Sequence, residues 1–112
     1  MKKIFLVLLL LFGSLFATTE KKVPTVVPIP WIKENLSNPN LVIVDLRKKE
    51  DYDKGHITGA VNMPGLESLF EKDTWMMPKL DFLKEIFSNA GIDQNSIVVA
   101  YDNGDFFWAA RL

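Results

Sequence analysis

The 112-residue chain has 13 Lys and Arg residues against 14 Asp and Glu residues, a formal net charge of −1, and 48% hydrophobic residues. These values fit one small globular domain, and the charge balance excludes the strongly basic surface through which proteins attract nucleic acid or anionic lipid. The sequence has no cysteine, which excludes a disulfide framework and a lipoprotein anchor.

The first 17 residues are typical of a secretory signal peptide. Met1-Lys2-Lys3 is a positive start, Ile4 to Phe12 is an almost unbroken apolar run, and small residues lead to a predicted cleavage site after Ala17. A permanent anchor is the alternative, but the apolar run is short of the ~20 residues that a spanning helix needs. We therefore expect an exported, periplasmic protein that has no stable membrane span after cleavage.

The start of the mature chain is predicted to contain an edge strand and a short helix. Residues 18–23 are polar and are interpreted as a disordered lead. Val26 and Val27 lie between two prolines, which indicates a strand at a sheet edge because proline cannot donate to a central ladder. A helix is predicted to begin at Pro30 and to end in the polar residues 37–40. Its apolar side consists of Trp31, Ile32 and Leu36.

The middle of the chain predicts two strands around a charged helix. Leu41 to Val44 is a continuous apolar run, which is typical of a strand covered on both faces. Lys48 to Lys54 is predicted to form a short helix that Gly55 ends. Residues 60–63 are the next strand candidate, and Pro64 follows them.

The last part of the chain predicts a helix, a strand and the start of another helix. Residues 66–78 show no clear periodicity, although three apolar residues are spaced for one helical turn. Asp81 is a candidate N-cap of a helix that ends at Gly91. The apolar stripe of that helix, predicted to pack in the core, is Phe82, Leu83, Ile86, Phe87 and Ala90. Ile97 to Tyr101 is predicted to be a further strand, again continuously apolar, and a helix is predicted to begin at Phe106 and to run to Leu112. Strands that alternate with helices predict the α/β class with a parallel sheet.

Two segments carry a resemblance to a known family. VIVDLRKKEDYDKGHITGAVNMP, from Val42 to Pro64, and IVVAYDNGDFFWAARL, from Ile97 to Leu112, resemble the rhodanese family. The resemblance implies a rhodanese-like three-layer fold whose sheet has five parallel strands, with the fifth strand between the first and the fourth. Only the first four strands have counterparts in this sequence, so residues 24–112 are expected to form a partial rhodanese domain, without the fifth strand and the helices that follow it.

The first segment carries the loop residues of the family. Asp45 and Arg47 match its Asp-x-Arg element, and we interpret them as an ion pair that fixes the loop, in preference to a role in sulfur chemistry. His56 is the only histidine, which invites a general-base role. The resemblance instead implies that His56 holds its loop by hydrogen bonds.

Three small residues complete this loop element. Gly55 and Gly59 fit turn positions that need freedom at φ. Ala60 is small where the next strand enters the sheet.

The second segment has aspartate where catalytic members of the family have their cysteine. Asp102, Asn103 and Gly104 follow a strand and precede a predicted helix, which is the region where open α/β sheets bind ligands. A carboxylate is a hard oxygen nucleophile, so Asp102 cannot hold a transferable sulfane sulfur. We therefore predict no catalytic residue in this chain, and no metal or cofactor.

Aspartate at this position is what the resemblance implies for one class of the family. The stretches 101–103 and 109–111, which ends in Arg111, are similar to the amino-terminal domain of tandem thiosulfate and 3-mercaptopyruvate sulfurtransferases. That class implies a second rhodanese domain downstream as partner. It also implies a small sulfur donor and a thiophilic acceptor for the parent protein.

Other interpretations fit less well or remain open. Asp102 and Asp105 are spaced by three, not the two of haloacid dehalogenases, and the loop lacks the later glutamate of a calcium-binding EF-hand. Tyrosine phosphatases of this fold need the missing cysteine. An exported, non-enzymatic binding module is the open alternative. Its apolar partner surface would consist of Trp75, Met76, Met77, Phe106, Phe107 and Trp108, which in a tandem protein would pack against the second domain. We also expect the segment alone to aggregate, because the missing interior strand would leave ladder groups exposed.

Overall fold

The computed structural model describes residues 22–104 and 107–112. Within these residues the elements follow in the order α1 (Ile29–Asn35), β1 (Leu41–Asp45), α2 (Lys49–Lys54), β2 (Val61–Asn62), α3 (Gly65–Ser68), α4 (Leu80–Asn89) and β3 (Ile97–Tyr101). The predicted signal peptide and most of the predicted lead lie outside the described residues. In the part of the chain that is described, no helix is long and apolar enough to cross a membrane.

The three strands form one parallel sheet in the order β2-β1-β3. β1 pairs with β3 along its whole length, from Leu41 opposite Ile97 to Asp45 opposite Tyr101. β2 pairs only with the last two residues of β1. The α/β class and the parallel sheet predicted from the alternating pattern are confirmed.

The central strand is covered on both faces, as its continuous apolar sequence predicts. Successive residues of a strand point to opposite sides of the sheet, and both Ile43 and Val44 are buried. On one side Val44 packs with Leu46, Met63 and Leu69. Against these lie the partly buried residues Ile86 and Phe87 of α4 and Ala90 at its C-cap. On the other side Ile43 packs with Ile32 of α1 and with Ala60. The sheet therefore lies between α1 and α4, in three layers.

The edge strand predicted at Val26 and Val27 is wrong. These residues lie in an irregular segment outside the sheet, where Val26 is 71% exposed and Val27 packs against the cluster of Ile32, Ile43 and Ala60. Pro24 and Pro28 on either side lack the N–H groups that strand pairing requires. Pro28, in extended backbone, instead becomes the N-cap of α1.

The helix predicted from Phe106 to Leu112 is also wrong over its described part. Residues 107–111 form consecutive turns rather than an α-helix, with an i to i+3 hydrogen bond from Arg111 N to Trp108 O at 3.1 Å. Phe106 lies outside the described residues.

Several helix and strand boundaries, and the exposure of two side chains, differ from those predicted from the sequence. α1 begins at Ile29, one residue before the predicted start, and Leu36 beyond its end is 45% exposed rather than buried. α4 begins at Leu80, so that Asp81 lies in the first turn instead of at the N-cap. Phe82, on the predicted core stripe of α4, is 42% exposed. The strand predicted over 60–63 is limited to Val61 and Asn62.

Candidate functional site

The carboxylate of Asp45, at the end of the central strand, is fully buried and fully hydrogen-bonded. Its Oδ1 accepts hydrogen bonds from the backbone N–H and the Nε of Arg47, at 2.9 and 3.0 Å. Its Oδ2 accepts from Arg47 Nη2 and from the Tyr101 hydroxyl, both at 2.7 Å. The ion pair expected of the Asp-x-Arg element is therefore present in bidentate form, which is its strongest geometry.

These contacts set the protonation of the group. Burial favours the neutral acid and would raise the pKa of Asp45, but the hydrogen bonds from Arg47 and Tyr101 outweigh it and hold that pKa below its ordinary value. The hydrogen bond to Asp45 raises the pKa of Arg47 in turn. Burial raises the pKa of Tyr101, and donation to the Asp45 carboxylate adds to that rise. The three groups are thus held as carboxylate, guanidinium and neutral phenol.

Arg47 serves as a structural cross-link. Its Nη2 also donates to the carbonyl oxygen of Gly55 at 2.7 Å, which joins the loop after β1 to the end of α2. The Nδ2 group of Asn62 donates to the carbonyl oxygens of Asp45 and Arg47, at 3.1 and 3.0 Å. The guanidinium is thus committed to Asp45 and Gly55, as the preference for a structural role predicts.

His56 makes the local contacts that the resemblance implies. Its Nδ1 lies 2.8 Å from the carbonyl oxygen of Tyr52, which requires the proton on Nδ1, and its ring stacks on the Tyr52 ring with centroids 3.7 Å apart. The side chain is exposed, and His56 is not among the described residues that line the cleft around Asp102. The geometry favours the holding role over a general base.

Gly55 directly precedes His56, and Gly59 and Ala60 lie in and after the turn that follows it. Gly59 has a φ of +78°, in the left-handed region that favours glycine, as predicted. Gly55 has a φ of 162°, which is extended backbone open to any residue, so the expectation that it needs special freedom at φ is wrong. Ala60 is buried and accepts a hydrogen bond from the Tyr52 hydroxyl at 2.7 Å.

Asp102 directs its carboxylate into its own loop. Oδ1 accepts from the backbone N–H of Gly104 at 2.9 Å, and Oδ2 accepts from the backbone N–H of Ala109 at 3.1 Å. Asn103 is exposed, and Gly104 has a φ of +103°. The carboxylate therefore stabilises the path of the chain after β3.

Arg111 lies apart from this carboxylate. Its Nε donates to the carbonyl oxygen of Leu69 at 3.3 Å, and its guanidinium carbon lies 3.9 Å from the centre of the Phe70 ring. This arrangement is a cation–π contact, which holds the end of the described chain against the segment after α3.

A cleft of about 280 Å³ opens where the loops after β1, β2 and β3 meet. Its lining includes Arg47, Lys48 and Lys49 from the first loop, Pro64 to Glu67 from the second, and Asp102, Asn103 and Trp108 from the third. The cleft thus occupies the carboxyl end of the sheet, as parallel α/β folds predict for a ligand site. No group of three or more His, Cys, Asp or Glu side chains suited to a metal ion occurs among residues 22–104 and 107–112.

Sequence reasoning missed the contacts through which three residues shape this region. Tyr101 joins Asp45 to the loop at Ile57, whose N–H donates to the Tyr101 hydroxyl at 3.1 Å. Asn62 fixes the loop after β1. Trp108 packs so closely on Gly65 that an added Cβ there would lie 2.6 Å from a Trp108 ring carbon. The polar residue at the end of an apolar strand was the available signal for Tyr101, and no sequence signal pairs Gly65 with Trp108.

The sequence of the chain is similar to a family model and to several known proteins. A family model described as a rhodanese-like domain matches residues 29–111. The chain is 32% identical over 102 residues to a putative thiosulfate sulfurtransferase of Synechococcus elongatus, covering 86% of this chain and 31% of that protein. It is 27% identical over 94 residues to the 3-mercaptopyruvate sulfurtransferase of Escherichia coli, covering 72% of this chain and 33% of that protein.

A further similarity is shorter. A TBC domain-containing protein kinase-like protein of Gallus gallus is 46% identical over 35 residues, which cover 31% of this chain and 4% of that protein. The chain therefore spans about a third of the length of the two sulfurtransferases and a far smaller share of the kinase-like protein.

Proposed function

Because the chain belongs to the family of rhodanese-like domains, we propose that it is the amino-terminal, non-catalytic part of an exported tandem sulfurtransferase. The parent protein transfers sulfane sulfur from thiosulfate or 3-mercaptopyruvate to a thiophilic acceptor, such as cyanide or a thiol. The names of two relatives support this reaction class. This domain contributes packing and one wall of the cleft at the carboxyl end of its sheet.

The observation that carries the non-catalytic role is Asp102 at the family's cysteine position. Sulfane transfer needs a soft, polarisable thiolate that forms a persulfide, and the sequence has no cysteine. Both oxygens of the Asp102 carboxylate already accept backbone N–H groups of their own loop. A negative charge at this place also opposes the approach of an anionic donor such as thiosulfate.

The tandem arrangement is supported by length. The two sulfurtransferase relatives are about three times as long as the part that this chain matches. A second rhodanese domain with a cysteine loop, encoded after Leu112, would supply the catalytic group. The sequence of the gene beyond that codon tests this part, and a stop codon there would contradict it.

The catalytic prediction is tested with the purified protein, thiosulfate and cyanide. We expect no thiocyanate above the uncatalysed rate, and no persulfide adduct in the mass spectrum of the protein after incubation with thiosulfate or 3-mercaptopyruvate. Turnover or a covalently held sulfur would contradict the proposal. The E. coli 3-mercaptopyruvate sulfurtransferase serves as the positive control for the reagents.

Export is tested separately with the amino-terminal segment. Residues 1–21 fused to an alkaline phosphatase that lacks its own signal should give periplasmic activity, because the segment has a positive start followed by an apolar run. The processed fusion should begin at Thr18. Changing Leu8 and Leu9 to Arg should abolish the activity, and a fusion that stays inactive without this change would contradict export.

An exported binding module without enzymatic activity is the second candidate. Trp75, Met76 and Met77 are 64%, 66% and 67% exposed, and Trp75 has a φ of 58°, which is uncommon for a bulky residue. Backbone hydrogen bonds between Glu71 and Met76 and between Trp75 and Glu71 close the loop that presents them. A large exposed apolar group of this kind marks an interaction surface. A stop codon after Leu112 would favour this candidate over the tandem enzyme.

A further inference from the structure

Phe70 and Trp75 form an aromatic corner in the segment that follows α3. Their ring centroids lie 5.9 Å apart, and the angle between the ring planes is 67°. Trp75 is 64% exposed, so this wall of the corner is open to solvent. Because the face of an aromatic ring is negative, two rings at a large angle to each other can attract one cation together.

The loop from Glu71 to Met76 holds Trp75 in this place. Trp75 has a φ of 58°, in the left-handed region where a bulky residue is rare. Glu71 N donates to Met76 O at 2.8 Å, and Trp75 N donates to Glu71 O at 3.0 Å. The Thr74 hydroxyl also donates to Glu71 Oε2 at 2.8 Å. These hydrogen bonds fix the uncommon backbone conformation, so the Trp75 ring is positioned before a ligand binds.

A pocket of about 510 Å³ lies against the two rings. This volume is within the range of small-molecule sites in proteins, about 300–1,000 Å³. Two carboxylates and one ammonium group line the pocket, which gives its lining a negative formal charge. Its lining residues are Leu66, Glu67, Phe70, Glu71, Lys72 and Trp75. The pocket therefore combines apolar walls, aromatic rings and excess negative charge, a combination that suits a cation with apolar surface.

The Phe70 ring already takes part in one cation–π contact. The guanidinium carbon of Arg111 lies 3.9 Å from its centre, although Arg111 is not among the described residues that line the pocket. A quaternary ammonium group has methyl groups in place of N–H donors, so it gives up no hydrogen bonds to water on entering such a pocket. Its methyl groups bury apolar surface against Leu66 and the two rings. This favours a quaternary ammonium group over a lysine or arginine side chain as the occupant.

We propose that the pocket at Phe70 and Trp75 binds quaternary ammonium compounds of the choline class. The two rings supply the cation–π contacts, and the carboxylates of Glu67 and Glu71 balance the positive charge. The pocket needs no sulfur chemistry, so choline binding is independent of the sulfurtransferase proposed above.

A titration of the 112-residue protein with choline chloride tests the site, followed through the amide NMR signals of residues 66–75 and the indole N–H signal of Trp75. We expect these signals to shift saturably, with a dissociation constant on the order of 1 mM. The uncharged carbon analogue of choline, in which a tert-butyl group replaces the trimethylammonium group, should bind at least about tenfold more weakly. Sodium chloride at equal concentration separates binding from screening.

Substitutions of Trp75 test the aromatic wall. Trp75→Gly removes the ring, and glycine adopts a φ of 58° without strain, so the loop should keep its conformation. Its affinity for choline should fall at least about tenfold. Trp75→Phe keeps an aromatic face and should lose about threefold or less.

The double substitution Glu67→Gln and Glu71→Gln tests the charge. It should weaken choline binding about threefold to tenfold and leave the binding of the uncharged analogue unchanged. Glu85→Gln is the matched control, because Glu85 is exposed on α4 and is not among the described residues that line the pocket. Glu85→Gln should bind choline as the native protein does.

Phosphatidylcholine vesicles distinguish the two sources of such a cation. Co-sedimentation with the vesicles that is lost in Trp75→Gly would identify a lipid headgroup as the ligand. Binding of choline without co-sedimentation would identify a soluble compound. Either result fits the proposed chemistry.

Three results would overturn the proposal: no saturable shift of the native signals with choline, equally tight binding of the uncharged analogue, or native affinity for choline in Trp75→Gly. If Trp75→Gly does not fold, the double glutamate variant decides, since native affinity for choline in that variant would likewise contradict the proposal.

Discussion

Asp45 is the residue on which the loops at the carboxyl end of the sheet depend. Its buried carboxylate holds the loop after β1 through Arg47 and holds β3 through the Tyr101 hydroxyl. Tyr101 in turn accepts from Ile57 N, so the same network reaches the loop of His56. Removing the charge from a network of this kind leaves a partly buried guanidinium without its partner.

We expect Asp45→Asn to lower the free energy of unfolding by about 2–3 kcal/mol, because the amide is uncharged and its NH2 group, in the place of one carboxylate oxygen, cannot accept a hydrogen bond from Arg47 or Tyr101. Urea unfolding followed by circular dichroism measures the loss. Asp53→Asn is the matched control, since its salt bridge with Lys49 at 2.7 Å is exposed, and it should change stability little. Equal effects of the two substitutions would contradict a special role for the buried pair.

Stability should fall in acid because of the same carboxylate. The folded-state pKa of Asp45 is lowered, so the folded protein releases this proton more readily than the unfolded chain does. The stabilisation is fully present above the unfolded pKa of about 3.9 and is lost as the pH falls through the lower folded value. The free energy of unfolding measured between neutral pH and strong acid should therefore fall more steeply for the native protein than for Asp45→Asn. Parallel curves would count against this assignment.

Tyr101 gives the opposite pH dependence. Its folded-state pKa is raised by burial and by donation to Asp45, so its stabilisation is present below the unfolded pKa of about 10 and is lost as the pH rises through the folded value. Tyr101→Phe should cost about 1–2 kcal/mol at neutral pH, because Asp45 loses a donor and Ile57 N an acceptor. Above a pH of about 10, the free energy of unfolding of Tyr101→Phe should therefore depend less on pH than that of the native protein. Tyr52→Phe, which removes the hydroxyl bonded to Ala60 O, is a control for the loss of a phenol elsewhere.

At the scale of elements, α3 and the turns at 107–111 are held together by one close contact. Trp108 lies against Gly65, the first residue of α3, so closely that an added Cβ would lie 2.6 Å from its ring. Trp108 also packs edge to face with Phe70, with ring centroids 5.8 Å apart. The small residue at position 65 therefore sets the distance between two segments far apart in the chain.

Gly65→Ala should lower the free energy of unfolding by about 1–3 kcal/mol, because either Trp108 or α3 must move to admit the methyl group. Gly55→Ala is the matched control, since nothing lies within 4 Å of its Cβ position and its backbone is extended. Thermal unfolding of both variants compares them. A loss for Gly55→Ala as large as that for Gly65→Ala would show that the contact with Trp108 is not the cause.

The strands and the site also show which sequence signals were enough to predict an element or a contact. β1 and β3 were predictable as strands because both are short, continuous runs of apolar and β-branched residues. Only β1 is covered on both faces, since Val98 of β3 is 39% exposed. The segment at Val26 and Val27 was predicted as an edge strand because it lies between two prolines, but it lies outside the sheet, and the flanking prolines lack N–H groups for pairing. At the site, the Asp45–Arg47 ion pair was predicted from the resemblance of these residues to the Asp-x-Arg element of the rhodanese family. The contacts of Tyr101 with Ile57 and of Trp108 with Gly65 join residues that are more than 40 positions apart, for which a single sequence contains no periodic signal.

At the scale of the whole molecule, the sheet of the described residues has two edge strands, the two-residue strand β2 and the longer strand β3. Within the described residues, β3 pairs only with β1, so the backbone groups on its other edge have no strand partner there. Val98 on β3 is 39% exposed. It lines an apolar groove of about 280 Å³ together with Phe87, Ile92, Ala100, Ala109 and Leu112. An edge that combines unpaired backbone groups with apolar side chains favours association with another strand.

We therefore expect the 112-residue protein to associate as its concentration rises. Val98→Lys should suppress this association, because a charge at an open edge opposes strand pairing and the substitution removes apolar surface from the groove. Sedimentation velocity over a concentration series measures the effect. Val26→Lys is the matched control, since Val26 is 71% exposed but lies outside the sheet, and it should leave the association unchanged. If both substitutions suppress association equally, the cause is the change in net charge and not the edge of β3. A native protein that stays monomeric throughout the concentration series and unfolds cooperatively would contradict the expected association.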